Sequence, residues 1–135
     1  IHNDAHGDNL LVAEGGEQSL AILDWQLTTP ARPGPDLVGF LVGALETTER
    51  RRHENRLLEM YYSVLIQHGI TGYSFEQCWD DYLTALVMMA SRLATAVGLH
   101  PLTARLDGHW NVVFPRYAQA LADLGVAELL QQRYG

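Results

Sequence analysis

Most of this chain carries apolar residues at helical spacing, and that pattern constrains the fold more than any other feature. Within the 135-residue sequence, the segment from Thr47 to His68 repeats apolar side chains at steps of three and four, and Gly69 follows as a stop. The pattern predicts an amphipathic helix. Its expected apolar face contains Leu57, Met60, Tyr61, Val64 and Leu65.

Two further helical stretches follow. Ser74 and Gln77 have capping-box spacing, and the apolar stripe behind them predicts a helix that ends near Gly98. A last pair of helices is expected towards the C-terminus, interrupted by Pro115 and by Gly125. The stripes consist of Phe75, Cys78, Trp79, Tyr82, Leu86, Ala90, Leu93 and Val97, then of Trp110, Val113, Phe114, Tyr117, Leu121 and Leu124.

The first third has a different pattern. Two short apolar runs, Leu10–Ala13 and Leu20–Leu23, flank the turn formers Gly15 and Gly16, which predicts a β-hairpin. After a loop rich in proline and glycine, the apolar run from Leu37 is expected to open the first helix. We therefore predict one mostly helical α+β domain over 1–135, with a loop and hairpin in 1–27 and a helical part in 35–135.

Composition limits the partners. The net charge is −7 and all nine basic residues are arginine, which disfavours nucleic acid and anionic membrane. The longest apolar run, Leu37–Leu45, is too short to span a bilayer. The single cysteine, Cys78, cannot form an intramolecular disulfide and is expected to be a buried thiol, so a cytoplasmic location is the expectation.

The segment His2–Asn9 concentrates carboxylates, amides and two imidazoles just before a strand. Phosphoryl transfer needs a carboxylate to orient and deprotonate the attacking hydroxyl, and oxygen ligands to hold magnesium on the phosphates. Asp4 suits the first role. Asn9 and Asp24 suit the second, because a hairpin returns its far end beside its start.

These residues resemble a known catalytic loop. Protein kinases and, more closely, aminoglycoside phosphotransferases and choline-kinase-like enzymes share the pattern His-x-Asp-x-x-x-x-Asn, whose fixed positions here are His2, Asp4 and Asn9. Asp24 follows a hydrophobic strand, as the metal-binding aspartate of those families does. The next residue is Trp25 rather than phenylalanine. That difference favours the small-molecule branch, especially its choline- and ecdysteroid-kinase-like members.

The resemblance covers Ile1–Leu45 and includes Gly34–Leu37, where Asp36 corresponds to an aspartate that braces the loop through its backbone amides. It implies the C-terminal lobe of a protein kinase-like fold, with a short hairpin after the catalytic loop and four to six helices. It implies ATP and Mg²⁺ as cofactors, the metal held by Asn9 and Asp24, and a small-molecule hydroxyl as acceptor. His2 is then an orienting residue.

The resemblance also implies a missing part. Such kinases cover ATP with an N-terminal lobe that carries a glycine-rich loop and a lysine. This sequence has neither a Gly-x-Gly-x-x-Gly stretch nor any lysine, and it begins at Ile1. We therefore expect a fragment that lacks the N-terminal lobe, exposes apolar surface and has little activity alone. The acceptor stays open among aminoglycoside, choline, sugar alcohol and steroid.

Two other functions stay open. His2, Asp4, His6 and Asp8 alternate in a way that can ligate a transition metal, as in a metal-dependent hydrolase. The chain can also be a non-catalytic binding domain derived from a kinase. His6 alone has no assigned role, and Asp8 is expected to be a solvated turn residue.

Three further patterns are given structural interpretations. The run Arg50–Arg52 is interpreted as a solvated charged face. Trp79 and Tyr82, next to two aspartates, are assigned to the core rather than to a site for a quaternary ammonium group. Gly39 and Gly43 are expected to permit close helix packing.

Overall fold

The computed structural model describes residues 1–13, 20–99 and 104–134. Within these residues the fold is α+β and mostly helical, with two antiparallel strands and five α-helices. The elements are β1 (Leu10–Val12), β2 (Leu20–Ile22), α1 (Gly34–Val38), α2 (Thr47–Gln67), α3 (Phe75–Leu99), α4 (Ala104–Asp123) and α5 (Val126–Tyr134), with a π-helical turn at Gly39–Ala44 after α1 and 3₁₀ turns at Gly7–Asn9 and Trp25–Leu27.

The predicted hairpin is present. Strands β1 and β2 pair with Leu10 opposite Ile22, and the amide of Leu23 continues the ladder by donating to the Asn9 carbonyl over 2.8 Å. The turn expected at Gly15 and Gly16 lies outside the described residues. The apolar side chains of the hairpin and of the 3₁₀ turn behind it are exposed, namely Leu11, Val12, Leu20, Ile22, Leu23, Trp25 and Leu27.

Helix α1 is short and joins the first third of the chain to the helices. It packs more extensively on α3 than on any other α-helix. Gly34 makes this possible, because a β-carbon there would lie 2.4 Å from the carbonyl oxygen of Asp81. Arg32, just before α1, pairs with the Asp81 carboxylate at 3.2 Å and lies over the ring of Tyr73. The loop before α1 is thereby attached to α3.

Helix α2 begins at Thr47 as predicted and ends at Gln67, one residue before the predicted His68, and Gly69 follows with a φ of 86°. The prediction of its apolar face was partly wrong. Met60 and Val64 are about half exposed, while Leu58 is fully buried. The buried face instead runs through Arg50, Glu54 and Leu58, at steps of four. A periodicity of apolar residues cannot reveal a face that buries a charged pair.

The charged-face interpretation of Arg50–Arg52 was wrong for Arg50. Its side chain is 2% exposed and donates to both carboxylate oxygens of Glu54 at 2.8 and 2.9 Å, and it also pairs with Asp123 of α4. Tyr82 of α3 donates to Glu54 over 2.6 Å, and Arg51 adds a second pair with Asp123. Arg50 is buried with carboxylate partners from α2 and α4, and α3 contributes the Tyr82 hydroxyl to the same network through Glu54.

Helix α3 begins as predicted. The amide of Ser74 donates to the side-chain oxygen of Gln77, and the amide of Gln77 donates to the Ser74 hydroxyl, which is a capping box. Cys78 and Tyr82 are fully buried, and Trp79 packs against the core, so the core interpretation of both aromatics is confirmed. Burial also raises the pKa of the Cys78 thiol.

Helix α4 contains the largest departure from expectation. The predicted break at Pro115 was wrong, because α4 continues through Pro115 to Asp123. Proline removes one amide donor and leaves the carbonyl of Asn111 without its helical partner. Both residues are exposed, so water can serve that carbonyl. Gly125, with a φ of 58°, separates α4 from α5 as predicted.

The core lies where α1 and its π-helical turn meet α2, α3 and α4. Its buried members are Val38, Leu41, Val42, Leu58, Tyr82, Ala85, Leu86, Val113, Tyr117, Ala120 and Val126. Among the described helices, none combines the length and the apolar character that crossing a bilayer requires.

We predict that Arg50→Met destabilises the fold by about 3–5 kcal/mol, because it strands the buried Glu54 carboxylate without its charge partner. Arg52→Met is the matched control, since Arg52 is 71% exposed, and should change stability by less than about 0.5 kcal/mol. Urea unfolding of both variants measures the difference. Equal unfolding midpoints would show that the buried pair contributes nothing to stability.

We also predict an acid-side effect of Asp123. The hydrogen bond from Arg51 lowers the pKa of its carboxyl to about 2, and the charge of Arg50 acts in the same direction. A lowered pKa in the folded state stabilises the fold above about pH 4 and loses that stabilisation as the pH falls through about 2. The free energy of unfolding of the wild type should therefore exceed that of Asp123→Asn at pH 6 by more than it does near pH 2. Glu59→Gln, which removes an exposed carboxylate outside this network, should show no such convergence.

Candidate active site

The loop that precedes the hairpin is held by Asp36. Its carboxylate oxygens accept hydrogen bonds from the backbone amides of His2 and Asn3, at 2.6 and 2.7 Å. Asn3 has a φ of 66°, a left-handed conformation that asparagine tolerates better than most residues. Asp36 lies in the first turn of α1, so this helix fixes where the loop begins.

His2 lies beneath the end of β2. It is buried, its Nε2 lies 2.7 Å from the carbonyl oxygen of Leu23, and its ring meets Trp25 edge-on at 4.8 Å. A residue buried and bonded in this way orients the loop and does not reach a ligand. Through Leu23, His2 also ties the loop to the residue before Asp24.

Asp4, His6 and Asn9 meet at the centre of the loop. The side-chain amide of Asn9 donates to the Asp4 carbonyl at 2.9 Å and to the Asp4 carboxylate at 3.2 Å, and lies 3.2 Å from Nε2 of His6. His6 Nε2 is 3.6 Å from the Asp4 carboxylate. Asn9 is buried, whereas the Asp4 side chain is 37% exposed. The amide therefore holds a carboxylate that ligands can reach.

Asp24 follows β2 and is exposed. Its backbone is left-handed, with φ 60° and ψ 61°, and Gln26 donates to its carboxylate over 3.3 Å. The hydrogen bond between Leu23 and Asn9 puts Asp24 one residue beyond the point where the two strands meet the loop. Of the predicted site residues, Asp4 and Asn9 are thus in direct contact, and Asp36 accepts hydrogen bonds from the loop backbone. His2 contacts the carbonyl of Leu23, the residue before Asp24.

The alternating cluster expected for a hydrolase is not assembled. Within the described ranges, no three His, Cys, Asp or Glu side chains are grouped closely enough to hold a metal ion. His2 is occupied by the Leu23 carbonyl, and Asp8 is exposed on the 3₁₀ turn. This geometry gives the hydrolase alternative no support.

A cavity of about 290 Å³ opens beside Asp4. One wall is the loop, with Asp4 and His6, and the opposite wall consists of side chains from α3 and α4. Helical spacing predicts most of these residues only as core, because spacing alone cannot separate a core face from a cavity wall. The helical lining residues are Met89, Leu93, Trp110, Val113 and Tyr117.

The sequence matches the DUF1679 family, described as uncharacterized oxidoreductase dhs-27, over residues 1–102 of 135. The chain belongs to this family. The matched region contains the loop, the hairpin, α1, α2 and α3, and therefore every predicted site residue. No match was found among curated proteins or among solved structures.

Gly39 is a point of close approach between the helices and the loop of this family member. A β-carbon at Gly39 would lie 2.5 Å from the carbonyl oxygen of Ala5. Gly39 is predicted to permit close packing between helices. The structure shows instead that its lack of a β-carbon leaves room for the loop backbone one residue from Asp4. Nothing in its local sequence could indicate a neighbour more than thirty positions away.

We predict that Gly39→Ala displaces the loop and destabilises the protein by about 1–3 kcal/mol, because backbone cannot yield as a flexible side chain does. Gly108→Ala is the matched control. Gly108 lies within α4, where a β-carbon would have no described atom within 4 Å, and alanine should stabilise the helix by about 0.5–1 kcal/mol. Urea unfolding tests both changes, and a stabilised Gly39→Ala would contradict the close approach.

Proposed function

We propose that this chain is the catalytic part of an ATP-dependent kinase that phosphorylates a hydroxyl group of a small molecule, and that its helices form the C-terminal lobe of a protein kinase-like fold. One observation carries the proposal. The Asp4 carboxylate is hydrogen bonded to Asn9 on one side and lines a cavity on the other. Phosphoryl transfer requires a carboxylate that faces the bound acceptor and lies next to an oxygen ligand for the metal ion.

Asp4 acts on the acceptor. It orients the attacking hydroxyl and takes its proton, which makes the oxygen a better nucleophile. The hydrogen bond from Asn9 fixes the carboxylate in place. The hydrogen bonds from the backbone amides of His2 and Asn3 to Asp36 fix the backbone before it. A positioned base of this kind contributes rate because the reacting atoms need no further ordering.

Asn9 and Asp24 fit a Mg²⁺ ion. Magnesium takes oxygen ligands and commonly binds through one or two protein groups, with phosphates and water completing its shell. The Asn9 amide nitrogen is used on Asp4, so its oxygen is the atom left for a cation. When bound with ATP, the metal neutralises charge that develops on the phosphates.

The backbone at Asp24 supports the same role. A left-handed conformation costs an aspartate more than a glycine, about 1–3 kcal/mol at such positions, and persists where the surrounding structure imposes it. Glycine would remove the strain but also the carboxylate. Aspartate tolerates this conformation better than most residues, so the position at the end of the strand is consistent with a carboxylate kept for cation binding.

The family's description names an oxidoreductase, whereas the groups at this loop suit proton transfer and cation binding. ATP would also need contacts from a lobe that carries a glycine-rich loop and a lysine. The exposed apolar side chains of the hairpin offer a surface for such a lobe. We propose a cytoplasmic enzyme without nucleic-acid or membrane partners.

We expect Asp4→Asn to lower kcat by about 10²- to 10⁴-fold, because asparagine keeps the shape but cannot accept the proton. The measurement is transfer of radiolabelled phosphate from ATP to an acceptor, in a protein that joins this chain to its ATP-binding lobe. Asp8→Asn is the matched control on the same loop, and its exposed side chain should be dispensable.

Full transfer activity in Asp4→Asn would reject Asp4 as the base. The kinase assignment itself would be rejected if the wild-type joined protein transferred no phosphate and retained a transition metal after dialysis, which is the result that the hydrolase alternative requires.

A further inference from the structure

The cavity beside Asp4 has two unlike sides. The loop side offers the Asp4 carboxylate and the His6 imidazole, while the helical side presents Met89, Leu93 and Val113 together with the aromatic rings of Trp110 and Tyr117. Among the lining residues that the structure describes, Asp4 carries the only carboxylate. An apolar wall with few polar groups favours the burial of an apolar ligand surface.

Charge argues against a cationic acceptor. A compound with several ammonium groups needs several carboxylates to replace its hydration, and desolvating an unpaired charge is costly. Asp4 can pair with one such group only, and it would then be unable to receive the hydroxyl proton. A quaternary ammonium group prefers a cage of several aromatic rings, whereas the helical wall here combines Trp110 and Tyr117 with three aliphatic side chains.

Tyr117 adds a second polar contact. The residue is 6% exposed, and its hydroxyl forms no hydrogen bond within the described residues. The hydroxyl lies 4.0 Å from where a β-carbon of Gly43 would be, and both residues line the cavity. Burial raises the pKa of Tyr117 to about 12, so it is a neutral donor. Unlike Nδ1 of His2 and Nε of Arg50, which are fully buried without a partner, the Tyr117 hydroxyl can be reached by a ligand or water in the cavity.

We infer that this cavity takes an uncharged alcohol whose apolar ring or chain lies against Met89, Leu93 and Trp110 and whose second oxygen bonds to Tyr117. The identification of this ligand as the phosphate acceptor rests on the proposed kinase function. The ligand class itself rests only on the cavity. At about 290 Å³, the space is near the lower end of small-molecule pockets, about 300–1,000 Å³, which fits one or two rings.

Binding to the 135-residue chain, without ATP, tests the ligand class. The probe is tyrosol, a neutral phenol that bears a primary alcohol on a two-carbon arm, and titration is followed by calorimetry. Phenethyl alcohol lacks the phenolic oxygen and should bind about tenfold more weakly, the size of one hydrogen bond. Choline, kanamycin and sorbitol should each bind at least about tenfold more weakly than tyrosol, since they are cationic or lack an apolar surface.

Three variants locate the site. Tyr117→Phe should abolish the preference for tyrosol over phenethyl alcohol and leave phenethyl alcohol binding unchanged. Met89→Glu adds a charge to the apolar wall and should weaken tyrosol binding by at least about tenfold. Met88→Glu, the neighbouring residue on α3 but outside the cavity and 43% exposed, should leave binding unchanged. Circular dichroism checks each fold, and Tyr117→Phe remains decisive if Met89→Glu does not fold.

Tighter binding of choline or kanamycin than of tyrosol would overturn the inference. So would a tyrosol affinity that Tyr117→Phe leaves unchanged, or the absence of binding by every probe. The kinase proposal fails separately. Tyrosol binding with the expected variant effects, but with no phosphate transfer once the ATP-binding lobe is joined, would keep the ligand class and reject the kinase. Phosphate transfer to choline without tyrosol binding would keep the kinase proposal and reject the ligand class.

Discussion

The candidate site depends on the carboxylate of Asp36. Two backbone amides more than thirty residues away donate to its two oxygens, and charge-assisted bonds of this kind are about twice as strong as neutral ones. These two hydrogen bonds fix the position of the loop relative to the helix that carries Asp36. Asp36 belongs to α1, and α1 lies so close to α3 at Gly34 that a β-carbon would not fit. The loop that carries Asp4 therefore takes its place from the packing of two helices and not from its own residues.

A second polar feature sets the distance between the helices that form the cavity. Arg50 of α2 joins Glu54 and Asp123, and Glu54 in turn receives the hydroxyl of Tyr82. These contacts connect α2 with α3 and α4, the two helices that also supply the apolar wall beside Asp4. Buried ion pairs give little net stability because desolvation offsets their attraction, but their geometry admits few alternatives. We therefore interpret this network as fixing the register of α3 and α4, on which the shape of the cavity depends.

The sequence predicts well where structure follows from neighbours along the chain. The capping box at Ser74 and Gln77 and the stop at Gly69 depend on local hydrogen bonds and backbone conformation, so spacing reveals them. The buried Arg50 and the glycine at position 39 depend on groups far away in sequence, and neither charge runs nor helical periodicity contain that information. The prediction of a break at Pro115 was wrong for another reason. The rule that proline breaks a helix assumes that the carbonyl left without its amide partner cannot bond to water.

The two walls of the cavity differ in the same way. The loop wall is a short motif, so Asp4 and Asn9 could be chosen from spacing, whereas the helical wall combines Met89 with Trp110 and Tyr117 from another helix. The apolar wall has a chemical consequence if the proposed function holds. A kinase must keep water from replacing its acceptor, because water would receive the phosphate instead. An apolar surface facing Asp4 discourages an ordered water at the position of the acceptor hydroxyl and lowers the local dielectric around the carboxylate. The residues that choose the acceptor would then also protect ATP from hydrolysis.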